Sequence, residues 1–67
     1  MRDTIKDWRG KVLGFIDTYS NGDKVIRDFN LRILGRYDKK LDVTKDFYGR
    51  VLAKGDQLAM LLSQAKN

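Results

Sequence analysis

Hydrophobic and polar residues alternate along most of this chain, and one pattern of them occurs three times. Each copy has a β-branched or aliphatic residue, a basic residue, an aspartate and an aromatic residue, and then, after a short turn, a basic residue and two aliphatic residues. The copies span residues 4–17, 25–38 and 43–56. Because a period of two is typical of strands and repetition indicates a repeated structural unit, the pattern predicts three β-hairpins.

The turn inside each copy has its own sequence signature. Residues 7–10 and 46–49 begin with aspartate and end with glycine, which favours a type I turn followed by a residue with positive φ. The middle copy has Leu31 at the glycine position. Either Leu31 adopts a strained positive φ, or Asn30 takes that conformation and the turn shifts by one residue.

Two further chain reversals are indicated, at Asn21-Gly22 and at Lys39-Lys40. The signals together predict a mainly β fold, an antiparallel six-stranded meander that is covered on both faces or curled on itself. The predicted strands lie near residues 4–7, 11–19, 23–29, 32–38, 41–47 and 50–54. We expect residues 1–3 to be frayed.

Strict alternation places apolar residues on both faces of this sheet. In the first copy Val12, Gly14 and Ile16 fall on one face. The leucines at one repeat position fall on the opposite face, and they are Leu13, Leu34 and Leu52. The small residues at the next position, which are Gly14, Gly35 and Ala53, mark either bends in the strands or a close approach of another backbone.

The end of the chain has helical periodicity. Residues 57–66 are predicted to form a short α-helix, with Asp56 as its N-cap and Lys66 near its C-terminal dipole. Leu58, Leu61 and Leu62 lie on one stripe of this helix. A helix of this length is not stable alone, so these leucines either cover an open face of the sheet or serve as a self-association surface.

Composition limits what such a chain can do. A single domain spanning residues 1–67 buries a marginal core, and the absence of Cys leaves no disulfide to support it. The chain also has no His, which removes the commonest general base and metal ligand. The aspartates that recur at Asp17, Asp38 and Asp56 are interpreted as turn and cap residues. We therefore expect a non-enzymatic, homo-oligomeric protein without cofactor or metal.

The start of the sequence has no signal-peptide pattern and no apolar run long enough to span a membrane. Together with the absence of Cys, this leads us to expect a cytoplasmic protein with no membrane partner. A protein partner other than a second copy is compatible with the same observations.

The net charge of +5 makes an anionic partner a second hypothesis. Basic residues recur at two repeat positions, and these candidate contacts are Lys6, Arg27 and Lys45 together with Lys11, Arg32 and Arg50. Trp8, Phe29 and Phe47 lie beside them, so the set can hold phosphates and stack bases of a nucleic acid. In the alternative interpretation the aromatic residues are core or turn-packing residues and each basic residue pairs with a nearby aspartate.

Residues 7–12 and 46–51, with the pattern Asp-aromatic-x-Gly-basic-aliphatic, are similar to the YD repeats of bacterial Rhs-type shell proteins. Residues 28–35 and 46–53 more closely resemble the D-F-x-G-R-I-L-G core of small bacterial four-fold beta-flower domains, and residues 55–62 resemble their C-terminal helix. That resemblance implies a radial arrangement of hairpins and no established activity. Since this chain shows only three units, a fourth would have to come from elsewhere, for example from another subunit.

These observations give two hypotheses of different kinds. The first is a non-enzymatic structural or interaction module that self-associates. The second is a module that binds nucleic acid or another anionic ligand through the recurring basic residues.

Overall fold

The computed structural model describes the backbone of residues 1–65 and the side chains of residues 1–62. It contains one sheet of six strands in chain order, each antiparallel to the next, followed by a helix. The elements are β1 (Arg2–Lys6), β2 (Val12–Thr18), β3 (Lys24–Asp28), β4 (Ile33–Asp38), β5 (Val43–Asp46), β6 (Val51–Lys54) and α1 (Ala59–Ala65). The predicted mainly β meander with a short C-terminal helix is confirmed.

The first strand begins earlier than predicted. The N-terminal amine of Met1 donates a hydrogen bond to the Thr18 carbonyl oxygen at 2.8 Å, and the Thr18 amide donates to the Met1 carbonyl oxygen at 2.7 Å. The side chain of Arg2 pairs with Asp17 of the neighbouring strand. The expectation that residues 1–3 are frayed was therefore wrong, because both backbone and side-chain bonds hold this end of the chain to β2.

All three hairpins use the same turn. Gly10 and Gly49 have φ values of 84° and 87°, as predicted, and in the middle turn Leu31 itself adopts φ 69°. The Leu31 amide donates to the Asp28 carbonyl oxygen at 2.9 Å, so the turn does not shift by one residue. Of the two alternatives for this turn, the structure has the strained leucine.

A bulge follows each turn and changes which face the side chains occupy. In the first hairpin Ile5 pairs with Gly14 but Lys6 pairs with Val12, which leaves Leu13 as an extra residue. The second and third hairpins have the same irregularity, at Leu34 and Leu52. The prediction that Val12 shares a face with Gly14 was wrong, because an extra residue reverses the alternation on either side of it.

One face of the sheet, which we call the helix face, is covered by α1; it includes Ile5, Gly14, Ile16, Ile26 and Gly35. The buried core there consists of Ile26, Leu58, Leu61 and Leu62. The bulged leucines Leu13 and Leu34 pack against this core, and so they do not lie on the opposite face as predicted.

The glycines of the first two repeats allow the helix to approach the sheet. A Cβ at Gly14 would overlap the Arg27 carbonyl oxygen and lie 2.8 Å from Leu62 Cδ2, and a Cβ at Gly35 would overlap Leu61 Cδ1 and lie 2.5 Å from the Lys45 carbonyl oxygen. The predicted close approach is thus confirmed for these two positions. The helix packs mainly on β3 and β4, in the middle of the sheet.

The connection into the helix is fixed by a buried hydroxyl. Thr44 is fully buried, and its Oγ1 donates to the Gly55 carbonyl oxygen at 2.7 Å and accepts from the Gln57 amide at 2.9 Å. Asp56 accepts a longer bond of 3.4 Å from the Leu58 amide. The helix begins at Ala59 rather than at residue 57, and the predicted last residue, Lys66, lies outside the described residues.

The opposite face, which we call the open face, has no helix over it in the described part of the chain. The register places Lys6, Val12, Phe15, Val25, Arg27, Ile33, Arg36 and Lys45 on it. The sheet is not closed, since β1 and β6 each pair on one side only. No helix among the described residues is long and apolar enough to cross a membrane.

Candidate functional site

The turns of the three hairpins point to the same end of the sheet, because successive strands run in opposite directions. We call residues 7–11, 28–32 and 46–50 the hairpin tips. Neighbouring tips are two strands apart, about 10 Å across the sheet. They are also displaced along the strands, since Asp28 lies opposite Gly14 rather than beside the first turn. The tips therefore form a staggered line across the edge of the molecule.

The aromatic residues of the tips are exposed to solvent. The exposed fractions are 87% for Trp8, 65% for Phe29, 61% for Phe47 and 80% for Tyr48. The rings of Phe47 and Tyr48 meet edge to face, with centroids 5.4 Å apart. None of these rings lies in the core, so the core half of the alternative interpretation is wrong. The contacts within single turns, Phe47 with Tyr48 and Trp8 with Arg9, agree with its turn-packing half. Sequence reasoning missed Tyr48, although it follows directly after Phe47.

The tip aspartates are used to build the turns. In each tip the aspartate Oδ1 accepts two backbone amides, for example those of Arg9 and Lys11 at 2.9 Å in the first tip. The other tips repeat these bonds through Asp28 and Asp46. The pKa of Asp46 is lowered, chiefly by the backbone hydrogen bond from Arg50. Each of these carboxylates is thus committed to its own turn.

The pKa of Asp28 is also lowered, for a more balanced reason. Burial, which is the largest single influence, raises the pKa of Asp28. The backbone and side-chain hydrogen bonds from Arg32 and the backbone bond from Asn30 together lower this pKa by more than burial raises it. Asp28 is one of two buried polar residues in the described part of the chain, the other being Thr44. A buried carboxylate with this many donors stays ionised and holds the middle tip together.

The predicted cations at the tips differ in how they are bonded. Arg32 and Arg50 pair with the aspartates of their own tips through Nε at 3.0 Å, as the alternative interpretation expected, yet their side chains remain 77% and 76% exposed. Lys11 makes no ion pair within the described residues, although its backbone pairs with Asp7. Arg9, which sequence reasoning missed, lies with its guanidinium 4.8 Å from the Trp8 ring centroid.

The second predicted set lies on the open face, directly behind the tips. Lys6 pairs with Val12, Arg27 with Phe15 and Ile33, and Lys45 with Arg36 and Val51. The structure therefore brings both predicted sets of cations and the three aromatic residues to the same end of the molecule. Their relation was not visible in the sequence, because it depends on the direction of every strand.

Arg27 differs from the other two because it has a structural role. Its Nε donates to Asp17 Oδ2 at 3.0 Å and its Nη1 to the Leu31 carbonyl oxygen at 3.1 Å. Asp17 also pairs with Arg2. The hydrogen bond from Arg2, opposed by burial and reinforced by Arg27, lowers the pKa of Asp17 to about 2. Arg2 and Arg27 thus both pair with Asp17, a carboxylate on the open face.

Sequence reasoning missed two cations on the open face. Arg36 lies directly opposite Lys45 across β4 and β5, and Lys54 lies opposite Val43 on the next strand. Like charges opposite each other destabilise a strand pair, so this arrangement is not explained by stability. The sequence alone gives no signal for this pair, because only the strand register shows that Arg36 and Lys45 lie on the same face of neighbouring strands.

A cleft of about 640 Å³ opens between the first and second tips. Its floor is apolar and includes Leu13, Leu34 and, from the helix, Leu62, and its rim carries Lys11, Phe29 and Arg32. Asp28 also lines it. The volume falls in the range of small-ligand sites, and the rim belongs to the same cations and rings that form the tips.

The helix leucines proposed for self-association are used within the chain. Leu58, Leu61 and Leu62 are 0%, 5% and 9% exposed and belong to the core. Of the two roles considered for the helix, the structure has the one in which it covers the sheet. Exposed aliphatic side chains lie instead in two of the connections, at Leu31 and Leu41, and on the last strand, where Val51 is 59% and Leu52 40% exposed.

No group of three or more Asp residues that could hold a metal ion occurs in the part of the chain that the structure describes. No family model, curated protein or solved structure matches this chain.

Proposed function

We propose that this protein is a non-enzymatic module that self-associates by pairing β6 of one copy with β1 of a second copy. The observation that carries the proposal is that consecutive hairpins already pair in this way twice within the chain, through β2–β3 and β4–β5. The first and last strands leave the same two edges unused. Unpaired edges are the usual templates for strand addition, and repeat proteins require their terminal units to be capped.

The register within the chain indicates the register between copies. Where hairpins meet, the small residue of one repeat lies opposite the tip aspartate of the next, as in Gly14 with Asp28 and Gly35 with Asp46. The same rule would place Ala53 opposite Asp7 of the second copy. Such a contact is head to tail, so it generates a ring if the rotation closes.

The burial of the repeat leucines supports this arrangement. Leu13 and Leu34 pack against the core, whereas their equivalent Leu52 is 40% exposed beside the unpaired edge. The helix packs on the middle of the sheet and leaves the third repeat without an equivalent cover. A neighbouring copy would bury Leu52 and Val51, and burial of apolar area favours association.

The side chains of the recurring aspartates support a non-enzymatic role. Asp17 is paired with two arginines, Asp38 accepts the Leu41 amide at 3.2 Å, and Asp56 pairs with Lys24 at 2.6 Å. These bonds are what turn, strand and cap residues make, and they support the interpretation of the aspartates as structural.

The test is the solution mass, measured by size exclusion with light scattering over a range of concentrations. We expect a concentration-dependent oligomer, and Leu52→Lys should shift it to monomer, since a charge pointing into an edge contact opposes strand pairing. Leu41→Lys is the matched control, because Leu41 is also exposed, at 58%, but lies in the β4–β5 connection. A wild-type monomer at every concentration would rule out the proposal.

A further inference from the structure

The end of the molecule formed by the hairpin tips combines exposed rings with cations that are not neutralised. Trp8, Phe29, Phe47 and Tyr48 are each more than half exposed. Four exposed rings gathered at one end of a small protein favour an interaction site there. The core of the molecule does not need these rings, since it is built from Ile26 and the helix leucines.

The charges at this end favour an anionic partner. The tip aspartates accept hydrogen bonds from their own turns, so they offer little charge to a ligand. Lys6, Lys11 and Lys45 make no ion pair among the described residues, and Arg32 and Arg50 remain mostly exposed despite theirs. Lys45 is moreover opposed by Arg36, a repulsion that a bound anion between them would relieve.

We propose that the hairpin tips and the adjoining part of the open face bind single-stranded nucleic acid. In this arrangement the bases stack on Trp8, Phe29 and the Phe47–Tyr48 pair, and the phosphates lie along Lys6, Lys45 and Arg36. Rings on which bases stack, next to a cationic track for the backbone, are the combination that single-strand binding requires. The cleft between the first two tips, with an apolar floor and Lys11 and Arg32 on its rim, offers room for one base to insert.

A single strand fits this surface better than a duplex. The tip rings are more than half exposed, although Arg9 lies over one face of Trp8 and Arg50 over one face of Tyr48. Only an unstacked base can place its own face on the remaining exposed ring surface. In a duplex the base faces are occupied by their neighbours. A duplex would therefore use the cations and gain nothing from the aromatic side chains.

The staggered line of tips also argues against an anionic membrane surface. Each tip is displaced along the strands relative to the one before, as shown by Asp28 opposite Gly14 and Asp46 opposite Gly35. A flat bilayer would meet such tips at different depths. In addition, the cations of the open face lie beside the tips rather than around them, which suits a strand that follows the edge of the molecule.

The chain contains a built-in reporter for the test, because Trp8 is its only tryptophan. A mixed-sequence single-stranded oligonucleotide is titrated into the protein at low salt, while anisotropy of a labelled strand and Trp8 fluorescence are recorded. We expect saturable binding with a change in Trp8 emission. The dissociation constant should rise with salt, with a logarithmic slope of about 0.7 for each phosphate contacted.

Paired substitutions locate the site. Trp8→Ala should weaken binding roughly 5- to 100-fold, the range expected for loss of one stacked base. Tyr19→Ala is the matched control, since Tyr19 is 49% exposed but lies at the other end of the sheet. Lys45→Gln should weaken binding and reduce the salt slope by nearly one phosphate, whereas Lys40→Gln, in the β4–β5 connection, should do neither.

Several results would overturn the proposal. These are no binding at low salt, equal or tighter binding of the duplex of the same sequence, and equal losses for Trp8→Ala and Tyr19→Ala. Binding to vesicles containing phosphatidylserine without binding to the oligonucleotide would assign the surface to a membrane instead. Circular dichroism of every variant separates loss of binding from loss of folding.

Discussion

Leu31 is the most strained residue of the hairpin tips. It is a branched apolar residue at φ 69°, whereas the equivalent positions in the other repeats are Gly10 and Gly49. A left-handed conformation costs a non-glycine residue about 1–2 kcal/mol, and Leu31 is 48% exposed. Because the Leu31 side chain is only partly buried, its burial offsets only part of this conformational strain.

Replacing this residue should stabilise the protein. We expect Leu31→Gly to raise the free energy of unfolding by about 0.5–1 kcal/mol, the relief of strain less the added flexibility of glycine in the unfolded chain. The reverse change, Gly49→Leu, should destabilise by about 1 kcal/mol, since a Cβ at Gly49 meets no atom within 4 Å and only strain is added. Urea denaturation measures the free energy of unfolding of both variants. Equal effects in the same direction would contradict the explanation that backbone strain at this turn position lowers stability.

Because of Asp17, the stability of the protein should decrease at acidic pH. Its pKa is about 2 in the folded chain, below the value of about 3.9 in an unfolded chain. Its contribution to stability is therefore fully present above about pH 4 and is lost as the pH falls towards 2. The lowered pKa values of Asp28 and Asp46 act in the same direction.

The matching experiment compares stability at pH 7 and pH 3. Asp17→Asn should be less stable than the wild type at pH 7. The difference should shrink as the pH is lowered, because the Asp17 carboxylate of the unfolded wild type becomes protonated below about pH 4 while that of the folded protein stays ionised. Asp3→Asn serves as control, since Asp3 is exposed and makes no ion pair within the described residues. A difference that stays constant down to pH 2 would show that the Arg2 and Arg27 bonds are not the cause.

The contact between α1 and the sheet depends on the absence of a Cβ at two strand positions. At Gly35 an added Cβ would overlap Leu61 and lie 2.5 Å from the Lys45 carbonyl oxygen. The third repeat has Ala53 at the same position, away from the helix. At Gly14 and Gly35 an added side chain would therefore meet both the helix and the backbone of the neighbouring strand.

Gly35→Ala should accordingly destabilise the protein by about 1–3 kcal/mol, the usual cost of overpacking. Ala53→Gly should cost no more than about 1 kcal/mol, through the added flexibility of the strand alone. The transitions are followed by far-ultraviolet circular dichroism. A smaller loss for Gly35→Ala than for Ala53→Gly would mean that the helix does not pack against this glycine in solution.

The order and type of the elements could be predicted from the sequence, because alternation and turn residues repeat three times. The faces of the sheet could not. An extra residue at Leu13 and its equivalents reverses the alternation after each turn, and no residue type at these positions distinguishes a bulge from a regular strand. The bulge is decided by packing, since it turns Leu13 and Leu34 towards the helix.

The candidate site was predictable only in part for a related reason. The repeat positions identified Lys6, Lys45 and the tip cations, but a sequence does not show which cations are neutralised. Arg27 is paired with Asp17, which comes ten residues earlier. Arg36 becomes a candidate contact only because it lies opposite Lys45. Both facts depend on strand register, which is a property of the assembled sheet.

Taken together, the two proposed activities respond to salt in opposite directions. The proposed head-to-tail contact would bring together copies that each carry a net charge of +5 and would place Lys54 opposite Lys6 of the second copy. Screening reduces such repulsion. Salt should therefore favour self-association while it weakens binding of an oligonucleotide, which depends on the release of counterions from phosphates.

This opposition provides a prediction that one set of samples can test. Light scattering and oligonucleotide anisotropy are measured on the same protein at about 50 mM and about 500 mM salt. The Debye length, the distance over which charges are screened, is longer than about 10 Å at the lower concentration and shorter at the higher. We expect the mean mass to rise and the bound fraction to fall. Leu52→Lys should abolish the first change and leave the second, because Leu52 lies at the β6 edge and not in the tips. If both quantities fell together with salt, the charges would be holding the copies together, and the edge contact proposed here would be the wrong one.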